Sequence, residues 1–139
     1  MLTIDHLQVA LDVDAGLVKA VDGLSLAISR GETFALVGES GCGKSMTALA
    51  LMRLLPDNGA VTDGSIALAG TDVLALPESQ MRAVRGGRIG MIFQEPATSL
   101  NPVMRVGDQI IEAIETHTAL RGAAAREKAV EWLCRVGIP

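Results

Sequence analysis

Thr33-Phe34-Ala35-Leu36-Val37-Gly38-Glu39-Ser40-Gly41-Cys42-Gly43-Lys44-Ser45 passes from a continuous apolar run, through a glycine-rich loop, to a lysine and a hydroxyl. An apolar run of that length suits a strand buried on both faces. The residues from Lys44 to Leu55 are good helix formers, and Pro56-Asp57-Asn58-Gly59 stops them. Between strand and helix, Gly38 to Ser45 satisfies G-x-x-x-x-G-K-[ST], and that context gives the pattern a mechanism. Glycine at 38, 41 and 43 opens backbone angles closed to residues with side chains, so consecutive N–H groups can curl around an anion. The helix that follows adds its positive end. Lys44 supplies a point charge on a long stem that suits β- and γ-phosphates, and the Ser45 hydroxyl suits a magnesium ion that keeps most of its waters. The candidate nucleotide contacts are therefore Gly38, Glu39, Ser40, Gly41, Cys42, Gly43, Lys44, Ser45 and, within the helix, Thr47. A glycine turn beside a surface lysine leaves this spacing unexplained. Cys42 also invites a reading as a nucleophile, but no base stands near it in sequence and the loop uses the main chain at that position.

Upstream of the loop, Leu2, Ile4, Leu7, Val9 and Leu11 mix with polar residues, and Val21, Leu24, Leu26 and Ile28 alternate more cleanly. This predicts an antiparallel hairpin turned near Asp14-Ala15-Gly16. Downstream, Ser65 to Leu68 reads as a strand ending at Gly70. Pro77 to Arg85 reads as a short helix closed by Gly86-Gly87, and Ile89 to Phe93 as a second apolar strand. Beyond the loop from Gln94 to Pro102, a helical period returns at Val106, Ile110, Ile111 and Ile114, and again at Ala125, Ala129, Leu133 and Val136.

Composition excludes several classes. At 49% hydrophobic residues the chain has material for a core, so global disorder is not expected. Apolar runs such as Met46 to Leu55 are broken by Thr47 and Arg53 and fall short of the roughly 20 residues that span a bilayer. The N-terminus Met-Leu-Thr-Ile-Asp-His offers no export leader, so a cytoplasmic setting is expected. Cys42 and Cys134 stand far apart without a CxxC pair, which signals neither a disulfide framework nor a structural zinc site. With a net charge of -4 and only Phe34, Phe93 and Trp132 as aromatics, no basic stripe or stacking platform for nucleic acid exists. Phosphate affinity has to be local.

Three stretches together resemble one family: Gly38 to Ser45 (GESGCGKS), Asp63-Gly64-Ser65-Ile66, and above all Ile92 to Pro102 (IFQEPATSLNP). They are similar to the ATP-binding subunits of oligopeptide and dipeptide ABC importers, and the resemblance spans essentially the whole chain. It implies an α/β P-loop NTPase fold of the ABC nucleotide-binding type. An N-terminal antiparallel β part and nucleotide core would occupy 1–95, and the exit of the Q-loop with the first helices of a helical subdomain would occupy 96–139. It further implies ATP and Mg2+ as cofactors, and a subunit that couples ATP binding and hydrolysis to peptide import at the cytoplasmic face of the inner membrane. The implied partners are transmembrane permease subunits, a second ATPase subunit and, indirectly, a solute-binding protein.

By the same resemblance Gln94 matches the glutamine that contacts magnesium or the attacking water where the transmembrane subunits dock. An amide at a strand end can orient water without a charge that competes with phosphate. Glu95, Ser99, Asn101 and Pro102 would shape the docking loop. The chain also departs from the family. Members stack adenine on an aromatic near the end of the first strand, whereas Val9, Ala10 and Leu11 are aliphatic and no tyrosine occurs, which leaves Leu11 as the candidate base contact. The LSGGQ signature, the Walker B aspartate with its glutamate, the D-loop and the switch histidine do not occur in residues 1–139. His6 and His117 read instead as a strand and a helix-surface histidine. Very slow hydrolysis is the expectation for the sequence as it stands, which reads as an incomplete domain or a non-hydrolysing nucleotide-binding module. Neighbours missing from the core sheet would leave 33–37 or 89–93 with exposed apolar surface and a tendency to aggregate. A GTPase or small-molecule kinase is disfavoured because no NKxD motif is present.

Overall fold

The computed structural model describes residues 1–94 and 99–138. They divide into two compact units, Met1–Met81 and Arg82–Pro139.

In the first unit, β1 (Leu2–Val13) and β2 (Gly16–Ile28) form the expected hairpin, registered from Leu2↔Ile28 at the open end to Val13↔Gly16 beside the turn. β3 (Gly59–Leu68) joins the other side of β1 and β4 (Thr71–Asp72) lies beyond it, giving the antiparallel order β2-β1-β3-β4. β3 begins six residues before the expected strand because β1 is long enough to ladder it as far as Leu11↔Gly59. Gly59 thus opens a strand instead of finishing a helix stop.

Helix α1 (Lys44–Met52) ends earlier than its helix-forming residues run. Arg53 takes a left-handed conformation, φ 51°, its N–H bonded to Ala50 O, and Leu54 N–H returns to Leu49 O at 2.8 Å. A left-handed arginine carries strain, and its guanidinium compensates by donating to Leu76 O at 2.5 Å. α1 packs against β1, β2 and β3 and buries Thr47, Ala50 and Met52. The core of this unit is Ile4, Leu7, Val9, Val21 and Ile66 from the sheet, with Ala50, Met52, Val73 and Met81. Helix α2 (Glu78–Val84) starts just after Pro77, as expected, and carries the chain across the boundary between the units.

The second unit contains α3 (Val106–His117) packed on α4 (Gly122–Arg135), with Ala125 and Ala129 buried. The expected apolar stripe of α3 is shallow. Ile110, Ile111 and Ile114 are half-buried and Val106 is exposed.

Two expectations fail. Neither Thr33–Val37 nor Ile89–Phe93 belongs to a ladder among the described residues; the second makes only an isolated parallel bridge, Arg85↔Ile89. Phe34, Leu36 and Val37 are exposed, as are Ile92 and Phe93. A strand buried on both faces needs a neighbour on each side. The antiparallel sheet completes its pairing between β2 and β4 without offering either segment a partner. The expectation of exposed apolar surface at these two segments holds.

Candidate nucleotide-binding site

Residues 38–45 curl. Gly41 and Gly43 have φ of 84° and 89°, and Cys42 N–H bonds back to Glu39 O at 3.3 Å. The Lys44 ammonium folds inside this curve and donates to Gly38 O at 2.8 Å and Glu39 O at 2.7 Å, with Cys42 Sγ at 3.4 Å. Gly38 does not use the left-handed region, contrary to the reading that all three glycines serve the turn by backbone angle. Its reason is space, since a Cβ there would lie 2.5 Å from Cys42 Sγ. Gly43 needs both conditions. Besides its positive φ, a Cβ would collide with Ala20 O and approach Val21 Cγ2 at 3.3 Å.

Gly43 is also the N-cap of α1. It has no side chain to accept from the first-turn N–H groups, and no acidic residue lies in that turn. Those orphan donors and the helix dipole are available to an anion. Glu39, Ser40 and Ser45 are exposed around the loop. Thr47 differs from the others in being buried, with its hydroxyl donating to Gly43 O at 3.0 Å. Its bond fixes the first turn of the helix.

A cavity of about 540 Å³ lies over the loop, lined by Gly41, Cys42, Lys44 and Thr47 on one side and by β2 from Lys19 to Ser25 with Leu36 and Val37 on the other. The described residues contain no group of three or more His, Cys, Asp or Glu able to hold a metal. Magnesium that keeps several waters and binds chiefly through substrate phosphates asks for little more than one protein oxygen, and exposed Ser45 meets that demand.

In the second unit Gln94 lies exposed at a bend, and Glu95 falls outside the described residues. The loop after it is held by a residue that sequence reasoning missed. Gln109 of α3 accepts from Asn101 N–H at 2.9 Å and donates to Asn101 O at 3.0 Å and Met104 O at 3.3 Å, while Asn101 Oδ1 accepts from Val103 N–H at 3.1 Å. A polar residue among the isoleucines of α3 was the available signal. The clamp fixes a loop that exposes Leu100, Val103 and Met104. A cavity of about 880 Å³ opens between this loop and α3, reaching Ile110, Ile114 and His117.

Both histidines have local roles. His6, φ 48°, sits in a β-bulge, donates its backbone N–H to Ser25 Oγ at 2.8 Å, and leaves its ring exposed. The His117 ring lies over Gly86, where a Cβ would strike it. Leu11 is half-buried on β1, with Cδ2 3.0 Å from where a Cβ on Gly59 would stand.

The chain is 46% identical to the dipeptide transport ATP-binding protein DppD of Bacillus subtilis over its whole length, covering 42% of that relative. It is 45% identical to the oligopeptide transport ATP-binding protein OppD of the same organism, covering 39% of it. A putative peptide import ATP-binding protein of Brucella abortus is 47% identical, with 43% covered. The chain thus spans under half the length of the curated relatives it matches. Among solved structures, the dimeric ATP-binding cassette MJ0796, in a post-hydrolysis state bound to ADP and Pi, superposes with a TM-score of 0.82. That match covers 96% of this chain and 56% of that one, at 21% identity, and it establishes the fold. The profile that describes ABC transporters matches residues 21–139, and the chain belongs to that family.

Proposed function

We propose that residues 38–45 bind the phosphates of MgATP and that the chain is the nucleotide-binding part of an ABC importer ATPase for peptides or similar small solutes. The observation that carries this reading is the Lys44 ammonium drawn inside a loop whose following helix has an uncapped, acid-free first turn. Phosphate oxygens would take over the ammonium from the Gly38 and Glu39 carbonyls and accept from the first-turn N–H groups, while Ser45 would hold the magnesium. Gln94 would orient water or magnesium. Residues 1–95 would form the nucleotide part and 96–139 the start of a helical subdomain, whose clamped loop at 99–104 would meet permease subunits. A second ATPase subunit, a position on the cytoplasmic face of the inner membrane, and a solute-binding protein follow from the kinship with peptide importers. No described helix is long and apolar enough to cross a membrane, so contact with the bilayer would run through the permease.

Calorimetric titration with MgATP tests the core of this reading. Lys44→Ala is expected to weaken binding about thirty-fold or more, from the roughly 2–5 kcal/mol attached to truncating one partner of a close charge pair. Its melting temperature should hold, because the hydrogen bonds of Lys44 all stay within its own loop. Equal affinity in the two proteins would refute the assignment.

A further inference from the structure

We propose that Arg53, at the opposite end of helix α1 from the phosphate loop, is a positioning residue for the nucleotide site. It ties α1 to the segment 73–76, so that phosphate affinity and the order of that segment rise and fall together. The inference rests on the phosphate-loop reading above and adds a residue that touches no nucleotide.

The backbone of Arg53 supplies the first observation. It caps α1 with φ 51° and ψ 45°, its N–H bonded to Ala50 O at 3.0 Å and that of Leu54 to Leu49 O at 2.8 Å. Glycine makes such a cap without the steric cost that a Cβ meets in the left-handed region. What arginine has and glycine lacks is a side chain, and strain retained at one residue is evidence of a task for it. Nη1 donates to Leu76 O at 2.5 Å and stands 3.5 Å from Val73 O. Nη2 is 3.8 Å from Glu78 Oε2, a half-exposed pairing that contributes little. Residues 73–76 run as bends between β4 and α2. Their N–H groups turn elsewhere, Val73 to Ile66 O and Leu74 to Asp72 Oδ1, both at 2.9 Å. The guanidinium thus joins the carbonyl side of this segment to the end of α1.

The helix itself supplies the second observation. It has nine residues and buries only Thr47, Ala50 and Met52, two of them small. Phosphate would bind along its axis at the N-terminal amides, so their aim depends on the direction of the whole helix. Gly43 seats that end against Ala20 and Val21, and Arg53 holds the other, roughly 14 Å away at the rise of an α-helix. A helix this short moves as one body. By linkage, a tie that improves phosphate affinity by some factor is strengthened by the same factor when phosphate binds.

The test measures MgATP affinity by calorimetry and amide hydrogen exchange in the 139-residue chain and its Arg53→Gly, Arg53→Lys and Ala69→Gly variants. Ala69, φ 49°, carries the same kind of backbone strain and serves as the control. Arg53→Gly should weaken MgATP binding about fivefold, at the low end of coupling between sites. Its melting temperature should stay within about 4 °C, because relieved strain offsets the lost bonds. MgATP should slow exchange at the Val73 and Leu74 amides about fivefold in the parent chain and leave it unchanged in Arg53→Gly. Arg53→Lys keeps a cationic donor without the fork and should return affinity to within about twofold of the parent, while Ala69→Gly should not alter it. Unchanged affinity in Arg53→Gly, exchange at 73–74 indifferent to MgATP in the parent, or an equal loss in Ala69→Gly would overturn the tie and leave the phosphate loop standing. If Arg53→Gly does not fold, an Arg53→Lys chain that folds but fails to recover affinity overturns it as well. Failure of the parent chain to bind MgATP would remove the loop reading and the tie together.

Discussion

Two sets of apolar residues in this chain look alike in composition and end differently. Ile4, Leu7, Val9 and Ile66 sit in a sheet whose strands pair within the first 72 residues, and all four are buried. Phe34, Leu36, Val37, Ile92 and Phe93 form equally apolar runs and stay exposed. A hairpin closes its ladder through a turn of a few residues, so its burial is settled locally. A strand meant for the middle of a parallel sheet depends on neighbours that arrive through long crossovers. Hydrophobicity states that a segment can be buried; the pairing available decides whether it is.

Substitution at matched positions should break this comparison most sharply. Ile66→Ala, at a fully buried site, is expected to cost about 2–5 kcal/mol. Leu36→Ala should stay within about 0.5 kcal/mol, as for a surface change. Urea denaturation of both variants checks this, and equal losses would mean that 33–37 is packed in solution.

Within the phosphate loop the contrast lies between two glycines of similar φ. Gly43→Ala adds a collision with the Ala20 carbonyl to its backbone strain, whereas Gly41→Ala meets nothing within 4 Å. Gly43→Ala should lose stability toward the upper end of the 1–3 kcal/mol typical of strained positions, and Gly41→Ala toward the lower end. Thermal melts rank the two. The reverse order would contradict the seating of the loop against β2.

The smallest thermodynamic effect is expected at Val37, the most exposed residue of the unpaired run. Val37→Lys should leave the melting temperature within about 1–2 °C, as for a surface change, and reduce self-association measured by sedimentation, because a charge breaks up an exposed apolar run. Unchanged association would locate the sticky surface elsewhere.

What could be read from the sequence follows the same division. The hairpin, α1, α2 and the two later helices were legible because alternation, proline and glycine act over a few residues. The run 33–37 was legible as apolar, and its exposure was expected from the neighbours the resemblance implies, but no local signal in the run itself carries the identity of a ladder partner. In the site, the spacing from Gly38 to Ser45 announced a curled loop and a lysine directed into it. The separate reasons for its glycines, the internal bond of Thr47 and the clamp of Gln109 on Asn101 depend on distances that only the fold supplies. The pairing of Leu11 with Val18 likewise depends on the extra residue Ala20 in β2.

The most direct test of the central claim is a titration of the isotope-labelled chain with MgATP, followed through the backbone amide resonances. The amides of Gly41, Gly43, Lys44 and Ser45 should move together and saturate, and the movement should vanish in Lys44→Ala. Saturable shifts confined to another part of the chain, or shifts in the loop that persist without the lysine, would contradict a main-chain cradle closed by Lys44.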